Sequence, residues 1–309
     1  MRRHRMGREV IPEHLSYSQS HDLLGGCSWK FFLSRDQEVP ERPLWGGIGG
    51  SAVHEATEIY DGKLLFGEDM SDRDLFDVFH SRLDENIRRQ EEKTTYPRSE
   101  WRATGRPSRE WPNKEDERWW RTNGLPMVAS WRSWRLNSVG WNIFEIPTPG
   151  ADIPMIEWGF DGQLGGGRVI GKIDRVFHVE PPDGPPWVCV VDLKSGSRTP
   201  EEVTQLGTYA HFVRELYRSS GWGDPPTMYG AYWMARKGNI PEIIDLSDWT
   251  KERLDWFYAR ALKRRTEADF VPVQSNLCST CTVQEFCFQV RGPRASEVPT
   301  PWGLSTQHV

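Results

Sequence analysis

The spacing of apolar and polar positions divides the chain into a helical first half and a β-rich second half. Ser16 is placed to cap a short helix, which Gly25 and Gly26 break just before Cys27. A glycine-rich turn over Gly46 to Gly50 then leads into a helix that starts near Ser51 and carries His54 in its first turns. Residues 70–138 read as helical, with interruptions at Pro97, Pro107 and Pro112. From Ile156 the period changes to that of strands. Ile156 to Phe160, a Gly165-Gly166-Gly167 turn, Arg168 to Val179 and Trp187 to Leu193 form an antiparallel meander. Pro181 to Pro186 is its second connection. Thr199 and Glu202 have capping-box spacing, with Pro200 at the first helical position, predicting a helix that runs to about Tyr217. A strand over Met228 to Met234 and a helix from about Trp249 to Thr266 complete the pattern. Residues 291–309, rich in Pro, Ser and Thr, read as a disordered tail.

At 309 residues the chain is long enough for one large domain or two small ones. Charged residues make up 27% and hydrophobic residues 37%, as in a water-soluble globular protein. No run reaches membrane-span length, and Met1-Arg2-Arg3-His4-Arg5 precedes no apolar signal core, so the expected location is the cytoplasm. The net charge of -5 rules out a polycation, yet its distribution is uneven. Between Lys93 and Arg135 there are ten Lys/Arg against five Asp/Glu, together with Trp101, Trp111, Trp119, Trp120, Trp131 and Trp134. Arginines for phosphates and indoles for bases would make a single-stranded nucleic-acid surface. The same residues would also serve a helical insertion whose tryptophans pack on a core, and spacing does not separate the two.

The candidate chemistry lies between Gly171 and Lys194. Two neighbouring strands bring Asp174 and Asp192 towards one sheet end, and Lys194, two residues beyond Asp192, emerges on the same face. Clustered acids beside an ammonium gain a purpose if a divalent metal lies between the carboxylates and a phosphate or water near the lysine. An Asp-x-Lys pair alone is more often a solvated turn, and a lone helical histidine such as His54 is more often structural. Gly47-x-Gly49-x-x-Ala52 fits a dinucleotide loop loosely, but the polar, proline-broken stretch before it is no buried strand, which excludes that reading. Five cysteines without a secretion signal argue against a disulfide scaffold. Cys189 reads as a buried core thiol, leaving Cys27, Cys278, Cys281 and Cys287 as a four-ligand set.

In order, His54, Gly171-x-x-Asp174-Arg175, Asp192-x-Lys194 and Gln205-x-x-x-Tyr209 resemble the RecB-like branch of the PD-(D/E)XK nucleases. One N-terminal cysteine with Cys-x2-Cys-x5-Cys near the C-terminus is similar to its iron–sulfur members, the CRISPR-associated RecB-like exonucleases and AddB-type nuclease domains. The resemblance covers roughly residues 14–62 and 156–288; an Asp at 192 in place of Glu is a tolerated departure. It implies an α/β restriction-endonuclease-like core, a central mixed sheet flanked by helices, with a helical insertion. The implied organisation is residues 1–62 as the N-terminal part of the nuclease domain, 63–155 as the insertion, 156–290 as core and cysteine cluster, and 291–309 as tail. It further implies that His54, Asp174, Asp192 and the Leu193 carbonyl bind Mg²⁺ or Mn²⁺, that Lys194 assists hydrolysis, and that Gln205 and Tyr209 position the strand. Glu157 reads as a solvated strand residue rather than a brace for the site. The four cysteines would hold a [4Fe-4S] cluster, although all-thiolate ligation also suits zinc. Such a clip closes a loop of about 250 residues, most of the chain, and so acts as a structural staple.

The activity this implies is metal-dependent DNA exonuclease cleavage of single strands or duplex ends, in recombination, repair, CRISPR or phage DNA processing. Two rivals differ from it in kind. One is an accessory nuclease that works only beside a helicase or strand-annealing recombination protein; the chain has no Gly-x4-Gly-Lys-Ser/Thr loop of its own. The other is a non-catalytic DNA-binding module with a zinc staple, against which the clustered acids argue, since they would face an anionic ligand.

Overall fold

A computed structural model describes residues 14–298. Its helices are α1 (Tyr17–Leu24), α2 (Ser28–Phe31), α3 (Trp45–Leu65), α4 (Asp72–Lys93), α5 (Glu117–Asn137), α6 (Thr204–Ser219) and α7 (Lys251–Thr266). Its strands are β1 (Trp141–Ile143), β2 (Glu145–Ile146), β3 (Ile153–Pro154), β4 (Ile156–Leu164), β5 (Gly167–Val179), β6 (Trp187–Lys194), β7 (Met228–Met234) and β8 (Ile243–Asp245). The main sheet is mixed, in the order β1-β5-β6-β7-β8, with β4 also paired to β5; β2 and β3 form a separate ribbon. β5 and β6 are antiparallel, β6 and β7 parallel, and β7 and β8 antiparallel. No helix among the described residues is long and apolar enough to cross a membrane.

Backbone contacts divide the chain into two compact units. Among the described residues the first comprises 14–40, Asp161–Gly171 and 251–298, and the second Glu41–Phe160 and Lys172–Thr250. In the first, the Leu15 main chain pairs with Arg168 and Ile170, α1 packs on α7, and Arg264 donates to the Leu23 carbonyl at 2.8 Å. Trp29 meets Phe288 edge-on, and Val271 N–H donates to Ser28 Oγ at 2.7 Å. The ends of the described chain therefore share one unit. Residues 291–298 belong to it with a defined path: Ala295–Glu297 is a 3-10 turn, and Val298 is buried. The composition-based tail is in this part ordered, because Gly292 and Arg294 N–H groups donate back to Cys287 and Glu285 carbonyls. Residues 299–309 lie outside the described residues.

The second unit is layered. β6 is buried on both faces, which explains its near-continuous apolar run Val188-Cys189-Val190-Val191 beside a parallel neighbour. Cys189, Val191 and Leu193 join a core with Phe177, Trp233 and the inner faces of α3, α4 and α5. On the other face, Gly230 sits under Leu206 of α6. The basic, tryptophan-rich stretch resolves in favour of packing. Trp101, Trp119, Trp120 and Trp131 are buried in that core, and Trp111 and Trp134 pack against it. Indoles placed there are not free to stack on bases. The 63–155 stretch shares one hydrophobic core with the sheet and α3.

Two local expectations give way to packing. The glycines from Gly46 to Gly50 lie inside α3 rather than in a turn before it. A Cβ at Gly49 would sit 2.0 Å from Cδ2 of Trp120, so glycine there buys close approach of α5, not a turn. The predicted capping box at Thr199 is bypassed as well: α6 starts at Thr204, and Glu202 instead gives its carbonyl to the Tyr232 hydroxyl at 2.6 Å. A pair of substitutions separates these roles. Gly49→Ala overpacks the Trp120 contact and is expected to destabilise by about 1–3 kcal/mol. Gly47→Ala, with nothing within 4 Å of the added carbon, is expected to stabilise by about 0.5–1 kcal/mol through helix propensity. Urea denaturation midpoints that move the same way in both variants would contradict this.

Candidate active site

The β5–β6 ladder ends at the pair Arg175 and Val191, so the next residues, Asp174 and Asp192, face each other where pairing stops. Asp174 Oδ2 accepts the Leu193 N–H at 2.7 Å, in the place of a ladder carbonyl. On the same face of β6, Lys194 Nζ is 2.6 Å from Asp192 Oδ2. The predicted side-by-side emergence of Asp192 and Lys194 is therefore an ion pair. α6 closes the arrangement. Lys194 Nζ donates to Gln205 Oε1 at 3.1 Å, Gln205 Nε2 donates to the Tyr209 oxygen at 2.7 Å, and the Tyr209 hydroxyl donates to Asp192 Oδ1 at 3.4 Å. The i, i+4 spacing of Gln205 and Tyr209 thus completes a ring of four side chains.

His54 reaches the site from α3, its Nδ1 3.4 Å from Asp174 Oδ2. Among the described residues, His54, Glu157 and Asp174 form a group whose ligand atoms all lie within 4.8 Å of one another. This set differs from the predicted His54, Asp174, Asp192 and Leu193. Asp192 lines the same cleft, but its carboxylate is engaged by Lys194 and Tyr209. Glu157, expected to be solvated, is half-buried and joins the metal-binding geometry. Its φ of +48° is unusual for a residue with a Cβ, a strained backbone of the kind that concentrates at functional sites. No sequence period carries a signal for such a backbone. The cleft has a volume of about 610 Å³; Gly47, Ser51, Glu58, Lys172 and Gly196 also line it.

Burial and mutual repulsion set the electrostatics. Asp174 is held well above the ordinary carboxylate range, first by burial and then by the charge of Asp192. Glu157 is raised by burial and by Asp174. Burial lowers His54, against the pull of Asp192, and keeps its imidazole in the neutral form that ligates metals. Burial and the neighbouring acids raise Tyr209, which stays a phenol able to donate. Two carboxylate oxygens and a neutral imidazole in one cleft are a donor set that could hold a divalent metal.

The four cysteines of the predicted cluster all lie in the first unit. Cys27 Sγ accepts the Val273 N–H and Cys278 Sγ the Ser275 N–H, each at 3.4 Å. Burial raises the thiols of Cys281 and Cys287, and a charge on Cys27 acts on both. Cys189 is fully buried in the sheet, apart from this set.

The Gene 69 protein of Mycobacterium phage L5 is 29% identical over 284 residues, covering 84% of this chain and 91% of that one. The crystal structure of a candidate exonuclease from Eubacterium rectale superposes with a TM-score of 0.43 at 13% identity, over 90% of this chain and 92% of that one. The family model of the PD-(D/E)XK nuclease superfamily matches residues 14–288, nearly all of the described chain, and the protein belongs to that superfamily.

Proposed function

We propose that this protein is a divalent-metal-dependent DNA exonuclease acting on single strands or duplex ends. The observation that carries the reading is the His54–Glu157–Asp174 donor group, placed in one cleft with the Asp192–Lys194 pair. A bound Mg²⁺ or Mn²⁺ would polarise the scissile phosphate and lower the pKa of an attacking water. Lys194 supplies positive charge where the phosphorane becomes more negative. Gln205 and Tyr209 hold Lys194 and Asp192 in place and offer donors to the strand. Phosphodiester hydrolysis then proceeds without a covalent intermediate. The resemblance of the motif order to RecB-like nucleases supports exonuclease action, and a phage-encoded relative fits phage DNA processing or recombination.

The test is digestion of end-labelled single-stranded DNA with Mg²⁺ or Mn²⁺. Progressive loss from one labelled end establishes the activity and its polarity. Tight DNA binding without cleavage would instead favour the helicase-dependent accessory or non-catalytic readings. Metal binding has its own signature. Because folding raises the Asp174 and Glu157 pKa values, the metal-free protein loses stability from this site as pH rises from their unfolded values through their folded ones. A cation offsets that loss only where the acids are ionised. The rise in Tm on adding Mn²⁺ is therefore expected to be larger at pH 8 than at pH 5.5, and an equal rise at both would count against the site.

We assign Cys27, Cys278, Cys281 and Cys287 to a [4Fe-4S] cluster that acts as a structural staple. All-thiolate ligation suits either this cluster or zinc, and the resemblance to the iron–sulfur nucleases favours the cluster. The N–H groups aimed at the Cys27 and Cys278 sulfurs are of the kind that surround thiolate-held clusters. Zinc without iron in anaerobically purified protein would overturn the assignment.

A further inference from the structure

Arg175 is fully buried, yet its guanidinium reaches the frame of all three side chains in the metal-binding group. Its NH1 donates to the Asp174 main-chain carbonyl at 2.6 Å and lies 3.5 Å from Glu157 Oε1. Its NH2 donates to Thr57 Oγ1 at 3.3 Å, and the Thr57 hydroxyl donates to the His54 carbonyl at 2.8 Å. Its Nε donates to Asp61 Oδ2 at 2.6 Å. His54, Thr57 and Asp61 follow the i, i+3, i+7 face of α3, so one helix supplies a ligand, a relay hydroxyl and a counterion.

Asp61 is held in turn from α5. Trp131 Nε1 donates to its Oδ2 at 3.2 Å, and Arg135 Nε donates to its Oδ1 at 2.9 Å. The Trp131 ring also lies 5.6 Å from the Arg175 guanidinium carbon. Burying charges in this way is costly, and well-packed apolar residues would often serve stability as well or better. What apolar residues could not do is fix three ligands from α3, β4 and β5 at one spacing. Glu157 needs such a hold most, since its strained backbone would otherwise relax.

We propose that Arg175, anchored by Asp61, is a positioning residue that sets His54, Glu157 and Asp174 at the spacing a divalent cation requires. The tryptophan-rich helix α5 fixes that setting through Trp131 and Arg135. On this view the stretch that resembled a nucleic-acid surface acts on the metal centre from behind. The proposal rests on the divalent-metal reading above.

The experiment is calorimetric titration of the full chain with Mn²⁺, alongside Arg175→Lys and the near-isosteric Thr57→Val, with circular dichroism to confirm folding. Arg175→Lys keeps the charge but loses the fork, and Mn²⁺ affinity is expected to fall by about 10–100-fold. Thr57→Val is expected to weaken it less. In both, excess Mn²⁺ should restore cleavage while KM for DNA stays at the wild-type value. Folded variants that bind Mn²⁺ as wild type does would overturn the positioning role. If Arg175→Lys fails to fold, Thr57→Val decides by the same affinity measurement. Wild-type protein that binds no Mn²⁺ would remove the metal centre itself, and both readings with it.

Discussion

Asp174→Asn protein, supplied with Mn²⁺, is expected to lose DNA cleavage by at least about a thousand-fold while keeping its fold. The loss of one preorganised electrostatic group from an active site commonly costs 10²–10³ in rate, and in the proposed metal centre Asp174 would contribute both a ligand oxygen and half the carboxylate charge that attracts the ion. An asparagine retains an oxygen to accept the Leu193 N–H, so the strand end should persist. Removing one of two facing buried acids also relieves repulsion, because burial and Asp192 both disfavour the Asp174 carboxylate. The metal-free variant is therefore expected to melt at or above the wild-type temperature. Stability that holds while activity disappears separates a catalytic loss from a folding defect. Lys194→Ala should lose a comparable amount of activity but also some stability, since the buried Asp192 carboxylate then lacks its ion-pair partner. Asp174→Asn protein with near-wild-type cleavage would end the case for this metal centre.

Cys281→Ala is expected to give insoluble or poorly folded protein. Structural metal sites contribute binding free energies on the order of 10 kcal/mol, comparable with the whole stability of a domain. In the first unit the proposed cluster would join the segment after α1 to the C-terminal turns, where regular elements are short. The Trp29–Phe288 contact, the stacking of Phe31 and Phe32 on Phe270 and the Ser28–Val271 hydrogen bonds join the same segments without it. Soluble protein must be compared by Tm and by cleavage rate. A variant that is soluble, melts with the wild type and cuts DNA at full rate would show that the thiols staple nothing.

The strands of the site were readable because a strand's chemistry is local. Alternation over β5 and β6 put Asp174 and Asp192 near one sheet end and Asp192 and Lys194 on one face, and the structure places them there. The i, i+4 step put Gln205 beside Tyr209 in the same way. Helix starts were less secure. A capping box at Thr199 is a preference worth about 1 kcal/mol, and it yields where the packed sheet and the Tyr232 hydroxyl claim Glu202. The glycines before His54 looked like a turn because glycine's backbone freedom is local, whereas the indole of Trp120 that excludes a Cβ at Gly49 is 71 residues away.

By itself, then, the sequence determined strands β4 to β7 but not the short edge strands β1 and β8, and it determined the order of the acidic and lysine residues, the four cysteines outside the sheet and the superfamily that these patterns resemble. Only the tertiary structure decided that the tryptophans line a core, that Glu157 takes the place beside His54 and Asp174, and that Arg175 and Asp61 stand behind all three. The reason is physical. Period and capping report on neighbours within a few residues. Burial, backbone strain at Glu157 and the partners of a buried guanidinium depend on segments that meet only when the helices close over the sheet.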